Sequence, residues 1–315
     1  MKGLLAIMLI LAATVFFFTE ESAEEHVQPA PAEIKIVLVG DIMLDRGVKY
    51  MINKKGENDF KFPFLKIADY LKKADIVFGN LEGPISDKGE KIGSIYSFRT
   101  EPEAIKGLAY AGFNVLSLAN NHALDYGHEA LEDTLLRLKL AQIDYVGAGF
   151  SEKEAFSPII KEVKGTKIGF LAFTNLGPET WQAIGDNSGI AWTSSTVSNL
   201  VKNAKEKADI LIVSLHWGEE YLKEPAEFQI SFAKETINAG ADLIVGHHSH
   251  VVQPNEKYKE GYIFYGLGNF VFDQGFSKET MEGLLLEIIV ENKEIKEINP
   301  KEIKINGFFQ PSLIP

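Results

Sequence analysis

Short runs of apolar, largely β-branched residues recur along the chain, separated by stretches in which apolar positions return at the helical period. The runs fall at residues 34–39, 74–78, 115–118, 167–173, 210–215, 243–245, 262–265 and 284–290. Runs so largely apolar predict strands covered on both faces. Between the runs, residues 64–73, 102–111, 127–141, 197–207 and 228–239 show helical spacing, which predicts helices with one apolar face. Strand and helix in alternation imply an α/β fold on a largely parallel or mixed sheet. The rhythm changes near the end, where 284–290, a turn at Glu291, Asn292 and Lys293, and then 295–305 read as antiparallel strands closing a second sheet. No Pro/Gly/Ser-rich linker interrupts residues 34–315, so one domain is expected there.

Ahead of that domain, Met1 and Lys2 precede an apolar run at residues 3–18, and Glu20, Glu21, Glu24 and Glu25 follow it. Positive charge before the run and negative charge after it predict a signal peptide or N-terminal membrane anchor at residues 1–19. The remainder would then lie outside the cytoplasmic membrane. The nearest small-residue cleavage site, Glu21-Ser22-Ala23, is a poor one, which favours the anchor. Residues 20–33 form an acidic Pro/Ala tether, because Pro29 and Pro31 oppose regular structure.

Composition narrows the chemistry. With 45% hydrophobic residues in 315, the chain carries a real core and is not a disordered protein. Its 32 basic and 44 acidic side chains leave a net charge of −12, which repels phosphate backbones and argues against a nucleic-acid partner. Cysteine is absent, so a metal would have to be held by His, Asp, Glu or Asn.

In open α/β sheets ligands bind beyond the carboxyl ends of the strands. The polar residues that follow the apolar runs are therefore the ones to inspect. They are Asp41 and Arg46 in GDIMLDR, Asn80 and Glu82 in GNLEG, Asn121 and His122 in ANNH, His216 in HWG, and His247, His248 and His250 in GHHSH. Any one has an ordinary explanation, since an Asp after a strand often caps the next helix. Together they are harder to dismiss, because of the 7 histidines only His26 and His128 lie outside these clusters. Carboxylate, carboxamide and imidazole in one place suit one or two divalent transition metals such as Mn, Fe, Zn or Ni. On an extended segment His248 and His250 would point one way and His247 the other, as a packing or outer residue. Trp217 and Tyr221, beside His216, either line the cleft or pack in the core.

Taken in order, GDIMLDR, GNLEGPIS, SLANNHALDYG, SLHWGEEY, GADLIVGHHSHVVQP and YGLGNFVFD closely resemble the bacterial capsule-synthesis protein CapA family, over residues 34–272 or so, and SFRTEPE fits a family segment that carries an Arg. That family is associated with poly-γ-glutamate capsules and is related to the calcineurin-like metallophosphoesterases. The resemblance implies a calcineurin-like fold, an αββα sandwich of mixed sheets packed face to face with flanking helices. Carried over position by position, it implies Asp41, Glu82, Asn121, His216, His248 and His250 as metal ligands. Glu82 or Asn80 would stand for a bridging Asp, and His122 would face the leaving group. The first motif departs from the Asp-x-His of most calcineurin-like enzymes, with Met43 at the histidine position.

Two functions are compatible with this set. The first is a metal-dependent hydrolase of the phosphoesterase type, in which His122 protonates the leaving group while Arg46, Arg99 and Asn80 hold an anionic polymer or phosphoester substrate. The second is a non-catalytic, metal-containing component of a polyanionic polymer synthesis and export complex, with membrane-bound partners.

Overall fold

The computed structural model describes residues 33–92 and 95–314. The expected leader at 1–19 and nearly all of the tether at 20–33 lie outside the described residues. No helix among the described residues is long and apolar enough to cross a membrane.

The first strand, Ile34–Ile42, sets the frame. Its residues Ile34, Ile36 and Leu38 face one apolar cluster and Val37 and Val39 face another, as the pleat requires. Ile76–Leu81, Val115–Ser117 and Asp144–Val146 follow from it in parallel. Glu282–Glu291, Glu294–Ile305 and Pro311–Leu313 continue antiparallel on its other side, and Asn269–Val271 pairs with its carboxyl end to complete eight strands. A six-stranded sheet runs in the order Asn255–Tyr258, Gly261–Phe264, Leu243–His247, Ile210–His216, Thr166–Thr174, Ile159–Val163. Its four inner strands are parallel and its two edge strands antiparallel.

Three apolar clusters show how the layers stack. One joins Ile36, Leu38, Phe78 and Val115 of the first sheet to Phe170, Ile212, Val245 and Phe264 of the second, so the sheets pack face to face. Phe78 and Phe170 stack across this interface with ring centroids 5.5 Å apart. The first sheet's opposite face packs on the helices Arg46–Lys55, Ala104–Ala111 and Gly127–Leu140. The second sheet's opposite face packs on Val197–Lys205 and Glu227–Asn238. Helix, sheet, sheet, helix is the resulting order of layers.

The closing antiparallel strands belong to the first sheet rather than the second. Leu286, Ile288 and Val290 bury toward the second sheet while Leu285 buries toward the helices, and a strand covered on both faces belongs beside the central strand. The turn between them is tight, with Asn292 and Lys293 at φ of 52° and 68°, as a two-residue hairpin of the primed type demands. The helix expected at 64–73 shrinks to a short 3-10 turn, Phe62–Phe64, and one α turn, Ala68–Leu71. The break falls at Ile67, whose φ of −126° leaves the helical region while its side chain enters the core.

Candidate metal centre

The parallel strands of both sheets end on one side of the molecule, and glycine lets their ends close on each other. A Cβ on Gly40 would lie 1.9 Å from the Gly268 carbonyl oxygen, and one on Gly246 1.8 Å from that of Tyr265. Only glycine fits at such approaches. The residues that follow, Asp41 and His247, thereby reach a shared polar floor.

A first group on that floor gathers Asp41, Glu82 and His216, all buried, with one ligand atom from each within 4.8 Å of the others. Asn80 lies among them. Its Nδ2 donates to Asp41 Oδ1 (2.9 Å) and Glu82 Oε1 (3.3 Å) and faces His216 Nδ1 (3.2 Å). One amide nitrogen with two hydrogens is thus surrounded by three acceptors. Asn120 Nδ2 in turn donates to Asn80 Oδ1 (3.1 Å). A second group, Glu220, His248 and His250, meets the same 4.8 Å limit. The groups adjoin, for the His216 and His248 ring centroids are 4.8 Å apart and the His248 backbone N–H donates to Asp41 Oδ2 (3.1 Å).

Electrostatics suit a cation. Burial acts to raise the Asp41 pKa, but hydrogen bonds from His247 and His250 outweigh it and hold the carboxyl well below its ordinary value. Burial, and then the charge of Asp41 and Glu220, pushes the Glu82 carboxyl well above its own. Burial, and then the neighbouring His248, pulls His216 down, and burial with His250 pulls His248 down to about 3. Neutral imidazoles beside carboxylates are the donors a divalent transition metal takes. Glu82 Oε2 and His248 Nδ1 are buried without a hydrogen-bond partner, a cost of about 1–3 kcal/mol each that a bound cation would remove. The residues therefore fit the metal that the motifs imply.

Above the floor opens a cleft of about 530 Å³, lined by His122, Asn121, Arg46, Glu220, Tyr221 and His250 among others. A larger hollow of about 650 Å³, around Glu152, Phe156 and Leu200, holds none of the candidate metal-binding groups. His122 Nδ1 lies 2.8 Å from Asp125 Oδ2, which also accepts from the Phe98 N–H at 2.7 Å. That fixes the ring and leaves its other nitrogen for the cleft. Arg46 sits at the mouth, its guanidinium 4.8 Å from the Phe98 ring centroid and paired with Asp273. Asn121 also reaches the centre through His216, with Oδ1 2.8 Å from His216 Nε2.

Three expectations change. His247 does not point away: its Nδ1 is 3.1 Å from Asp41 Oδ1. The strand ends at His247, and His248 and His250 turn left-handed at φ of 84° and 56°, so extended alternation no longer applies. Arg99 is not in the cleft, because its guanidinium donates to the Lys88 and Gly89 carbonyls and covers the Tyr126 ring. Asn80 is fully buried among the candidate ligands and positions them rather than meeting substrate. Of the two aromatics, Tyr221 lines the cleft, whereas Trp217 is buried in the helix-side core with Nε1 bonded to the Tyr265 carbonyl (3.0 Å).

Sequence reasoning missed Glu220, Asp125, Asn269 and Asp273. All four lie inside the quoted strand-end motifs, and spacing gave a signal only for Asp125, three residues beyond His122.

Residues 35–274 match the model of a family described as bacterial capsule synthesis protein PGA_cap. The chain is 37% identical over 291 residues to the capsule biosynthesis protein CapA of Bacillus anthracis, covering 90% of this chain and 70% of that one. It is 34% identical over 289 residues to the PGA biosynthesis protein CapA of Bacillus subtilis, covering 88% and 75%. Among solved structures, a phosphatase of Mycoplasma pneumoniae superposes with a TM-score of 0.50 at 16% identity, covering 87% of this chain and 94% of that one. The likeness in fold agrees with a calcineurin-like arrangement of the two sheets.

Proposed function

Because the chain belongs to the bacterial capsule synthesis protein PGA_cap family, we propose that it serves poly-γ-glutamate capsule synthesis as a metal-dependent hydrolase outside the cytoplasmic membrane. The observation that carries this reading is that two acid and imidazole groups adjoin, and that Glu220 and His250 of one of them line a cleft together with His122, whose ring Asp125 holds.

Asp41, Glu82 and His216 would hold one divalent cation, and His248 and His250 a second. Metals there supply Lewis acidity toward a phosphoryl or acyl oxygen. His122 delivers a proton to the leaving group from the ring nitrogen turned away from Asp125, and Asp125 keeps the ring in that orientation. Arg46 exchanges Asp273 for an anionic group of the substrate, with the Phe98 ring beneath its guanidinium holding it flat. The apolar run at residues 3–18 and its flanking charges support the side of the membrane.

The test is turnover of poly-γ-glutamate and of a phosphodiester by the full chain supplied with Mn²⁺. Turnover of one of them, reduced by about 10² to 10⁴ in His122→Ala, is the expected result. Metal-loaded protein that cleaves neither would remove the hydrolase reading. A second reading, a non-catalytic component that retains the polymer, is favoured by the cleft's charge: Arg46 is already paired and Glu220 shares the lining, so an acidic chain would need bridging cations. Mn²⁺-dependent retention of uncleaved polymer would select it. Protease added to intact spheroplasts should reach the folded part if it lies outside.

A further inference from the structure

Glu220 is not among the ligands that the motifs imply, and it stands beside the half of the centre with the fewest carboxylates. The Asp41, Glu82 and His216 group has two carboxylates of its own, whereas His248 and His250 without Glu220 offer only neutral donors. The position where related enzymes supply another imidazole is Met43, which is fully buried in the apolar core.

Geometry orients the second group toward Glu220. Asn269 Nδ2 donates to Gln274 Oε1 (3.0 Å) and to the Thr280 carbonyl (2.9 Å), which pins its amide and turns Oδ1 toward His250. His250 Nδ1, 3.0 Å from that oxygen, must therefore carry the hydrogen. Its Nε2 is the ring atom left for a cation, and that atom is the one 3.9 Å from Glu220 Oε1. At this distance the two are too far apart to hydrogen-bond to each other. His248 adds an unpaired donor, since its Nδ1 is buried without a partner and the residue is 7% exposed. Glu220, with 41% of its side chain exposed, forms the cleft side of the group.

We infer that Glu220 is the carboxylate ligand of a second divalent cation, held with His248 and His250 and open to the cleft. The first position is then enclosed and the second exchangeable, so the two fill in order. This rests on the metal reading of the site. A cation between these three residues would bridge Glu220 and His250 and satisfy His248.

The experiment is equilibrium dialysis of the chelator-stripped full chain against graded Mn²⁺, with elemental analysis and the Mn²⁺ EPR spectrum read on each sample. The wild type should take up about two equivalents in separable steps, as two-metal sites do. Glu220→Gln should keep the tighter step and weaken the other at least about tenfold, a loss expected when a ligand or its partner is removed. Glu219→Gln, on the exposed neighbour, should match the wild type. Melting temperature in chelator reports the fold of each variant. Two unchanged steps in Glu220→Gln overturn the assignment while leaving the metal reading intact. No uptake by the wild type overturns both.

Discussion

A single strand passes through the two most different regions of the molecule. In its middle, Ile36 and Leu38 are sealed between the sheets against Phe78, Phe170 and Val245, all with ordinary strand geometry. Only a few residues later Asp41 stands on a floor of carboxylates, amides and imidazoles that are just as buried. The apolar region needs no ligand, since its apolar side chains are satisfied by contact with one another. The polar region does, because Glu82 Oε2 and His248 Nδ1 lack partners and one Asn80 nitrogen faces three acceptors. Strain follows the same division. Arg46, Tyr221, His248 and His250 hold φ of 50°, 66°, 84° and 56°, a region that costs a non-glycine residue about 1–3 kcal/mol. No residue of the inter-sheet cluster does so. Rigid packing in one region thus holds the other in a state that is costly without a ligand.

The largest effect should come from breaking the apolar side. Phe170→Ala opens the inter-sheet stack on Phe78 and should lower unfolding free energy by about 3–5 kcal/mol, read by denaturant melts. Metal bound per folded molecule should stay unchanged, because no ligand is touched. If metal falls before stability does, the two regions are not separable in this way.

Acid should act on the polar side next. The unfolded chain protonates His216 and His248 near 6.5, whereas the folded chain does so only far lower, about 3 for His248. Between those values the unfolded state binds more protons, so metal-free protein should lose stability as pH falls from about 6.5 toward 3. Glu82 opposes this, because its raised pKa adds stability as pH falls toward its unfolded value. Adding Mn²⁺ at neutral pH should raise the melting temperature, since the cation binds only the folded arrangement. A melting temperature indifferent to both pH and Mn²⁺ would count against the polar floor as a metal centre.

The smallest contrast separates two arginines. Arg46→Lys should raise KM about tenfold, the equivalent of about 1.4 kcal/mol for a weakened charged hydrogen bond. Arg99→Lys should leave KM unchanged, because its guanidinium is committed to the Lys88 and Gly89 carbonyls and the Tyr126 ring. Equal effects from the two would mean that Arg46 is not the substrate-facing one.

The layers were legible in the sequence because burial writes itself as period. Residues 34–39 and 210–215 are apolar at all but one position each, Lys35 and Ser214, and both faces of those strands are in fact covered. Strand ends were legible too, since the chemistry follows each run immediately. What could not be read depends on neighbours distant in sequence. Nothing near Arg99 announces that its partners are Lys88 and Gly89 rather than the cleft. Nothing in GHHSH shows that the strand stops at His247 and the chain turns left-handed. Glu220 and its exposed neighbour Glu219 look alike on paper, and only the fold sets one of them beside His250. The short edge strand Pro311–Leu313 was invisible for the same reason, because three residues carry no period and pairing with Ile303, Lys304 and Ile305 defines it.

The polar floor is read as a metal centre rather than a costly cluster of buried groups. Its most direct test is elemental analysis of the full chain as purified and after exposure to Mn²⁺, Fe²⁺, Zn²⁺ or Ni²⁺, with His248→Ala alongside. The wild type should hold about two equivalents of a transition metal, as for two-metal sites generally, and the folded variant clearly fewer. Wild-type protein that holds none of these metals would contradict it.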